Sequence, residues 1–282
     1  MPTSRIHLKP KGGLCNRMQA VDSAVALAHD LRVPLDIHWV RAGDLRCRFD
    51  KLFEPIASPA VTIHERRLRP LRFLRTHRNL RRLSRIWPFG ALTFSKDENR
   101  RLEAFDFRAA GRLRPVHIES YSRFYPSTRP YAIFTPIEAL RRRIDERTAP
   151  FDSSTVGVHV RRTDNTKSIA FSPDALFIER MREEIAARPA TRFYLATDAM
   201  EVKRSFTDLF GDRILTTPYR ASRQTEEGVQ EAVVELYALA ATSKILGSYW
   251  STYSSAAAEL GQIELVTVQA AAPGAATTRA VG

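Results

Sequence analysis

The sequence predicts an α/β protein whose second half is a doubly wound, mostly parallel sheet. Three observations predict it. After residue 149, short β-branched or apolar runs alternate with helix-length amphipathic segments, the pattern of parallel strands joined by crossover helices. Helix punctuation falls in place, with Pro173 suited to a first turn and Gly211 and Gly261 suited to C-terminal stops. The first forty residues also contain one copy of the same unit: strand, glycine turn, helix, strand.

Taken in order, Ile6–Lys9 reads as a strand, Pro10–Gly13 as a turn, Asn16–Leu31 as a helix and Leu35–Val40 as the next strand. From Cys47 to Thr128 the pattern mixes strands at Val61–His64 and Val116–Glu119 with a basic block and several prolines. Thr135–Arg147 is expected to be a helix leading into the second half. There, strands are expected at Val156–Val160, Arg192–Ala196, Arg213–Thr216, Lys244–Gly247 and Glu264–Val268. Helices are expected at Pro173–Ala187, Met200–Leu209, Glu226–Thr242 and Tyr253–Leu260. This divides the chain into an N-terminal α/β lobe (1–148), a C-terminal Rossmann-like lobe (149–270) and an Ala/Gly/Thr-rich tail (271–282) expected to be disordered.

Composition narrows the classes. No run reaches the roughly 18 apolar residues of a membrane-spanning helix, and the N-terminus lacks the apolar stretch of a secretory signal. Two cysteines, Cys15 and Cys47, do not make a disulfide framework, so a cytoplasmic setting is expected. The 44 Lys and Arg exceed the 31 acids and leave a net charge of +13, which favours polyanionic or phosphorylated partners. Much of that charge lies between Arg66 and Arg85. Overlapping it, Phe73–Trp87 reads as a helix with Phe73, Leu80, Leu83 and Trp87 on one side and five arginines opposite, Leu74 and Ile86 being exceptions. Such a face is either solvated over the core or docks peripherally on an anionic membrane, at the inner face in a bacterial setting.

Three segments suit the holding of a nucleotide diphosphate. Lys11-Gly12-Gly13-Leu14-Cys15-Asn16-Arg17 lies between a strand and a helix. Glycines there let backbone approach a phosphate, and the helix N-terminus offers unpaired N–H groups, with Asn16 and Arg17 as further donors; a plain turn is the alternative. Val156-Gly157-Val158-His159-Val160-Arg161-Arg162-Thr163-Asp164 delivers charged groups at the carboxyl end of an apolar strand. Alternation sends His159 and Arg161 to one face and Val160 and Arg162 to the other. Arg161 is suited to a bidentate bond with phosphate, with His159 assisting and Asp164 orienting it or meeting substrate. The third segment has two parts, Phe193–Asp198 and the hydroxyl-rich Gly247–Ser255. Asp198, Ser251 and Thr252 serve there as substrate ligands or as ordinary helix N-caps.

His159-Val160-Arg161-Arg162-Thr163-Asp164 resembles the diagnostic motif of the α1,6-fucosyltransferases, bacterial nodulation enzymes included, with variants in the α1,2- and protein O-fucosyltransferases. The likeness extends to Gly12–Arg17, Tyr194–Asp198 and Gly228–Leu260, with the middle of the chain unmatched. The resemblance implies a GT-B-like fold of two Rossmann-like lobes, with GDP-fucose held mainly by the C-terminal lobe. It implies inverting, metal-independent transfer to a glycan or other hydroxyl acceptor. Arg161 then matches an essential arginine on the β-phosphate, Asp164 and Asp198 match acids near the donor, Glu235 matches an acid toward the nucleotide, and Ser251 matches a phosphate-binding serine. Departures are Asn165 in place of a lysine, Ala199 in place of a second acid, and Lys167-Ser168 where a glutamate base is suspected.

Other chemistries lack anchors. His64-Glu65-Arg66-Arg67-Leu68 has no second histidine of a zinc protease, and no G-x-S-x-G elbow occurs. No Asp-x-Asp pair is present to chelate a nucleotide-bound cation, so no metal and no cofactor are expected. The competing class is a non-enzymatic protein that binds nucleic acid or a membrane surface through its positive charge, without sequence-specific nucleic-acid recognition.

Overall fold

A computed structural model of the chain describes residues 5–41, 43–58, 60–67, 92–95, 97, 99–107, 115–163 and 165–270. Asp164, the 271–282 tail and the Phe73–Trp87 helix lie outside the described residues. So does the Arg66–Arg85 block, apart from the backbone of Arg66 and Arg67.

The chain divides into two compact units, Met1–Asp145 with Ala221–Val234, and Glu146–Arg220 with Glu235–Gly282. The first unit therefore takes in a segment, Ala221–Val234, that a single cut after residue 148 does not supply. That segment is hydrogen-bonded within its unit: Arg46 N–H donates to the Arg223 carbonyl at 2.9 Å, and the Gln224 amide donates to the Gly43 carbonyl at 3.0 Å.

In the first unit, β1 (Ile6–Pro10), α1 (Leu14–Leu31), β2 (Leu35–Arg41), β3 (Val61–Arg67), β4 (Leu92–Phe94), α2 (Asn99–Glu103), β5 (Val116–Ser120) and α3 (Glu138–Thr148, whose last three residues belong to the second unit) follow one another. The sheet order is β3-β2-β1-β5-β4, and every ladder in it is parallel. The helix expected from Thr135 begins only at Glu138, because Glu54 N–H bonds the Thr135 carbonyl and Phe53 bridges Pro136 in extended conformation. β4 and α2 were not foreseen: three strand residues and five helical ones are too short to show a period.

In the second unit come β6 (Thr155–Val160), α4 (Thr166–Phe171), α5 (Asp174–Ala187), β7 (Arg192–Thr197), α6 (Met200–Phe210), β8 (Ile214–Leu215), α7 (Glu226–Ala240, which begins in the first unit), β9 (Lys244–Ser248), α8 (Thr252–Gly261) and β10 (Glu264–Val268). The order β10-β9-β6-β7-β8 is again wholly parallel. Two strands follow β6 on one side and two on the other, which is the doubly wound order with its switch point between β6 and β9. All six residues of β6 are buried. Val156, Val158 and Val160 pack with Phe177, Met181, Val202 and Phe206, each such side chain contributing roughly 1.5–3 kcal/mol by leaving water.

Two expected helix stops resolve differently. Gly211 ends α6 with φ +54°. Gly261 is the last residue of α8, and Gln262 takes the left-handed cap instead. The reason is close packing: a Cβ at Gly261 would lie 2.1 Å from the Ala240 carbonyl oxygen.

Candidate functional site

The carboxyl ends of β6 and β9 meet at the switch point, where open α/β sheets bind ligands. One hydroxyl ties them together: Ser248 Oγ accepts the Arg161 N–H at 2.9 Å and donates to the His159 carbonyl at 3.1 Å. Alternation along β6 then separates the next side chains, as expected. His159 points to α8, where its Nδ1 lies 2.8 Å from Ser254 Oγ and 3.5 Å from Ser251 Oγ. Its ring also packs on Tyr253 at 4.8 Å. Gly247 permits this approach, since a Cβ there would lie 2.7 Å from Ser254 Cβ. Burial, with the Arg161 guanidinium beside it, pushes His159 far below the ordinary imidazole range, so the ring is neutral at pH 7.

Arg161 turns toward the end of β7. Its Nε is 3.2 Å from Asp198 Oδ2, and its side chain keeps 17% exposure against 6% for Asp198. The carboxylate also accepts from Arg162 N–H at 2.8 Å, Thr163 N–H at 3.3 Å and Thr163 Oγ1–H at 2.6 Å. Burial alone would raise Asp198, but Arg161 and these donors together hold it below the usual carboxylate range. Asp198 is thus an anchor for the strand-end loop and caps nothing; the residue at the start of α6 is Ala199, without a side-chain cap.

Arg162 goes to the opposite face. It pairs with Asp174 and donates to the Ser172 and Arg161 carbonyls at 2.7 and 2.8 Å. Its guanidinium is thereby engaged in holding α5 to the strand end. Ser251 is the N-cap of α8, accepting from Ser254 N–H, and Thr252 is that helix's first residue. Glu235 is buried in α7 and faces Lys203, whose ammonium lies 3.5 Å away and donates to the Thr217 and Tyr219 carbonyls at 3.1 and 2.6 Å. In the second unit the fold therefore gathers His159, Arg161, Asp198 and Ser251 around one strand end, while Arg162 and Glu235 are held in pairs of their own.

In the first unit the glycine turn sits at the corresponding switch point. Lys11 N–H bonds the Ser120 carbonyl at 2.8 Å and Asn16 Nδ2 bonds the Tyr121 carbonyl at 2.8 Å. Gly12 has φ +77°, a left-handed conformation for which glycine is the default. Gly13 precedes α1 without a side-chain cap, and a Cβ on it would meet Arg223 Nε at 3.0 Å. Arg17, expected as a further donor to phosphate, instead points inward. It is buried, donates to the Gly12 and Val40 carbonyls at 2.9 and 2.7 Å, and lies over Trp39 at 5.1 Å. Burial pulls its guanidinium down to about 10. It braces the turn, since its donors are already directed at carbonyl groups.

Sequence reading missed Ser248, Ser254, Thr163 and Asn165. The serines belong to the hydroxyl-rich segment, yet their separate partners depend on tertiary contact. Asn165 had a readable signal: it is the N-cap of the unforeseen α4, accepting from Ser168 N–H, and Asn is a favoured residue there. Among the described residues no group of His, Cys, Asp or Glu is placed to hold a metal ion, and no helix is long and apolar enough to cross a membrane.

No protein-family model matches the sequence, and no curated protein matches it either. Solved structures do match in fold. The NodZ α-1,6-fucosyltransferase soaked with GDP-fucose aligns over 92% of this chain and 92% of its own, with TM-score 0.63 and 17% identity. A mutant of Arabidopsis thaliana FUT1 in complex with GDP aligns over 94% of this chain and 70% of its own, with TM-score 0.60 and 13% identity. POFUT1 in complex with GDP aligns over 95% and 99%, with TM-score 0.56 and 12% identity. The chain shares with these fucosyltransferases a GT-B-like α/β fold of two Rossmann-like units, each built on a parallel sheet.

Proposed function

We propose that this chain is an inverting, metal-independent glycosyltransferase that moves L-fucose from GDP-fucose to a hydroxyl of a glycan or similar acceptor. The observation that carries the proposal is Arg161, a partly exposed guanidinium at the switch-point end of β6, backed by Asp198. Support comes also from the fold shared with proteins solved with GDP-fucose or GDP.

Arg161 binds the β-phosphate. As the glycosidic bond lengthens, negative charge grows on the leaving diphosphate, and a fixed guanidinium stabilises that charge more than it does the ground state. Asp198 keeps the guanidinium aimed, and its commitment to Arg161 and Thr163 suits a site that neutralises phosphate with arginine instead of a cation. Neutral His159 adds a hydrogen bond without adding charge, and the N-terminus of α8 at Ser251 and Thr252 directs N–H groups toward phosphate oxygens. Glu235 is assigned the nucleotide end. The acceptor hydroxyl attacks the opposite face of an oxocarbenium-like sugar, which inverts the anomeric centre, and Asp164 is the carboxylate assigned to assist. In the first unit, the Gly12–Gly13 turn with Asn16 is assigned an anion-binding role of its own. The setting assigned is cytoplasmic, with the Arg66–Arg85 block either solvated or docked peripherally on an anionic membrane face.

Titration with GDP and a screen of nucleotide sugars for hydrolysis in EDTA test the reading. Micromolar GDP binding and selective turnover of GDP-fucose are expected. Wild-type protein that fails to bind GDP defeats it, and turnover that stops in EDTA defeats its metal-independent part.

A further inference from the structure

Beside this strand end the chain displays a tryptophan. Trp250 is 61% exposed and has φ +57°, a left-handed conformation that is strained for an ordinary residue. Two side chains of the adjoining segment hold its backbone in place. Asn165 Nδ2 donates to the Trp250 carbonyl at 2.9 Å, and Ser168 Oγ donates to the Tyr249 carbonyl at 2.7 Å. The Lys167 ammonium lies 4.2 Å from the centroid of the indole. Behind the indole, Tyr249 packs at 5.9 Å and Phe171 packs on Tyr249 at 5.3 Å, so three rings run in a row from α4 into the loop. Packing against the core does not account for an indole held outward. The same loop serves the strand end: Ser248 accepts the Arg161 N–H, and Ser251 approaches His159.

We propose that Trp250, backed by Tyr249 and Phe171, is the surface on which a pyranose ring of a glycan acceptor stacks. This rests on the fucosyl-transfer reading and names the acceptor class for it. A pyranose has a face of axial C–H groups that lies against the electron-rich face of an aromatic ring, while its equatorial hydroxyls need polar partners at the rim. The exposed Thr166 is such a partner, and Lys167, whose ammonium lies over the indole face, reaches the sugar's hydroxyls by swinging off that face as the ring seats. A pinned backbone favours a rigid ring ligand, since little ordering cost remains to be met on binding. A fluid lipid surface gains nothing from that fixation, although the exposed Ile169 and Phe171 make it the competing occupant.

The full chain is assayed with labelled GDP-fucose on a printed array of neutral hexose and N-acetylhexosamine oligosaccharides. Wild type is expected to label members of the array. On the best-labelled glycan, Trp250→Ala should raise the acceptor KM by about tenfold or more, with kcat changed less than about twofold and GDP affinity within about twofold. Trp250→Phe, which keeps a ring, should recover most of the KM. An unchanged acceptor KM in Trp250→Ala overturns the inference, as does wild type that binds GDP and labels no glycan. Unchanged KM together with lost binding to phosphatidylglycerol-containing vesicles overturns it in favour of a membrane contact. Failure of wild type to bind GDP, read before any acceptor is added, defeats the transfer reading and this inference with it.

Discussion

The two units carry five-stranded parallel sheets with the first strand at the centre of each, although the last two strands are placed in opposite order, and the two central strands are buried differently. β6 is buried at every position, whereas β1 alternates, with His7 and Lys9 half-buried between Ile6, Leu8 and Pro10. The polar side of the first sheet carries a row of imidazoles, His64, His38, His7 and His117, with neighbouring ring centroids 5.1, 5.8 and 4.6 Å apart. Asp36 sits among them, 2.8 Å from Arg5 and 2.9 Å from His64. The arginine associated with each central strand differs accordingly. Arg17 is buried and directed at two carbonyls, while Arg161 stands partly exposed against a carboxylate. A parallel sheet wound out from a central first strand thus yields a bracing arginine in one unit and a ligand-ready arginine in the other. What decides is whether the donors meet backbone oxygen or a carboxylate at the rim.

That contrast predicts opposite phenotypes. Arg17→Met should cost about 3 kcal/mol of stability, because two buried carbonyls lose a charged donor, while GDP affinity of the folded fraction stays near wild type. Arg161→Ala should do the reverse: GDP affinity falls about 100-fold, about 2.7 kcal/mol, with a small change in the urea midpoint. Urea titrations paired with GDP titrations check both, and GDP loss of equal size in the two variants breaks the distinction. Next in size is Gly247→Ala. Its Cβ would meet Ser254 Cβ at 2.7 Å and Leu265 Cδ1 at 2.8 Å, so overpacking of about 2 kcal/mol is expected. Displacement of Ser254 from His159 should lower GDP affinity as well. Stability at the wild-type level would show that α8 is not held tightly at this point.

How much of this was legible depended on the range of the interactions. Strands β6, β7, β9 and β10 were readable because their side chains alone report burial, and Val156-Gly157-Val158-His159-Val160 reads as buried on both faces. The alternation that splits His159 and Arg161 from Arg162 was readable for the same reason. The inward turn of Arg17 was not, since its partners at Gly12 and Val40 are backbone groups, one of them 23 residues away. Asp198 was visible as an acid at a strand end, but a capping role and a loop-anchoring role look alike until Arg162 and Thr163 fold over it. Segment Ala221–Val234 joins the first unit through backbone bonds such as Arg46 to Arg223, which leave no residue-type signature.

Acid should distinguish the two sheets more finely. In the folded chain burial lowers His159, and it also lowers His7 and His117. A histidine depressed on folding contributes stability that is complete above its unfolded value, near pH 6.5, and is lost as pH falls below it, because only the unfolded chain then takes up the proton. His159→Asn should therefore flatten the decline in unfolding free energy between pH 7.5 and 5.5 by roughly 1.4 kcal/mol. His117→Asn should flatten it less, because the His117 ring is desolvated by its stack on His7 while the residue as a whole stays open to solvent. Equal flattening would mean that the first sheet's imidazole row is as closed to protons as the buried strand. The smallest effect belongs to Asn165→Ala, which removes the cap of α4 and the bond to the Trp250 carbonyl. A cap is worth about 1 kcal/mol. Because α4 is a short helix carried on the rim, the loss should appear as faster amide exchange across Thr166–Phe171 while exchange in β6 holds at its wild-type rate. Acceleration in β6 as well would show that the rim and the buried strand open together, and that the cap supports the strand end directly.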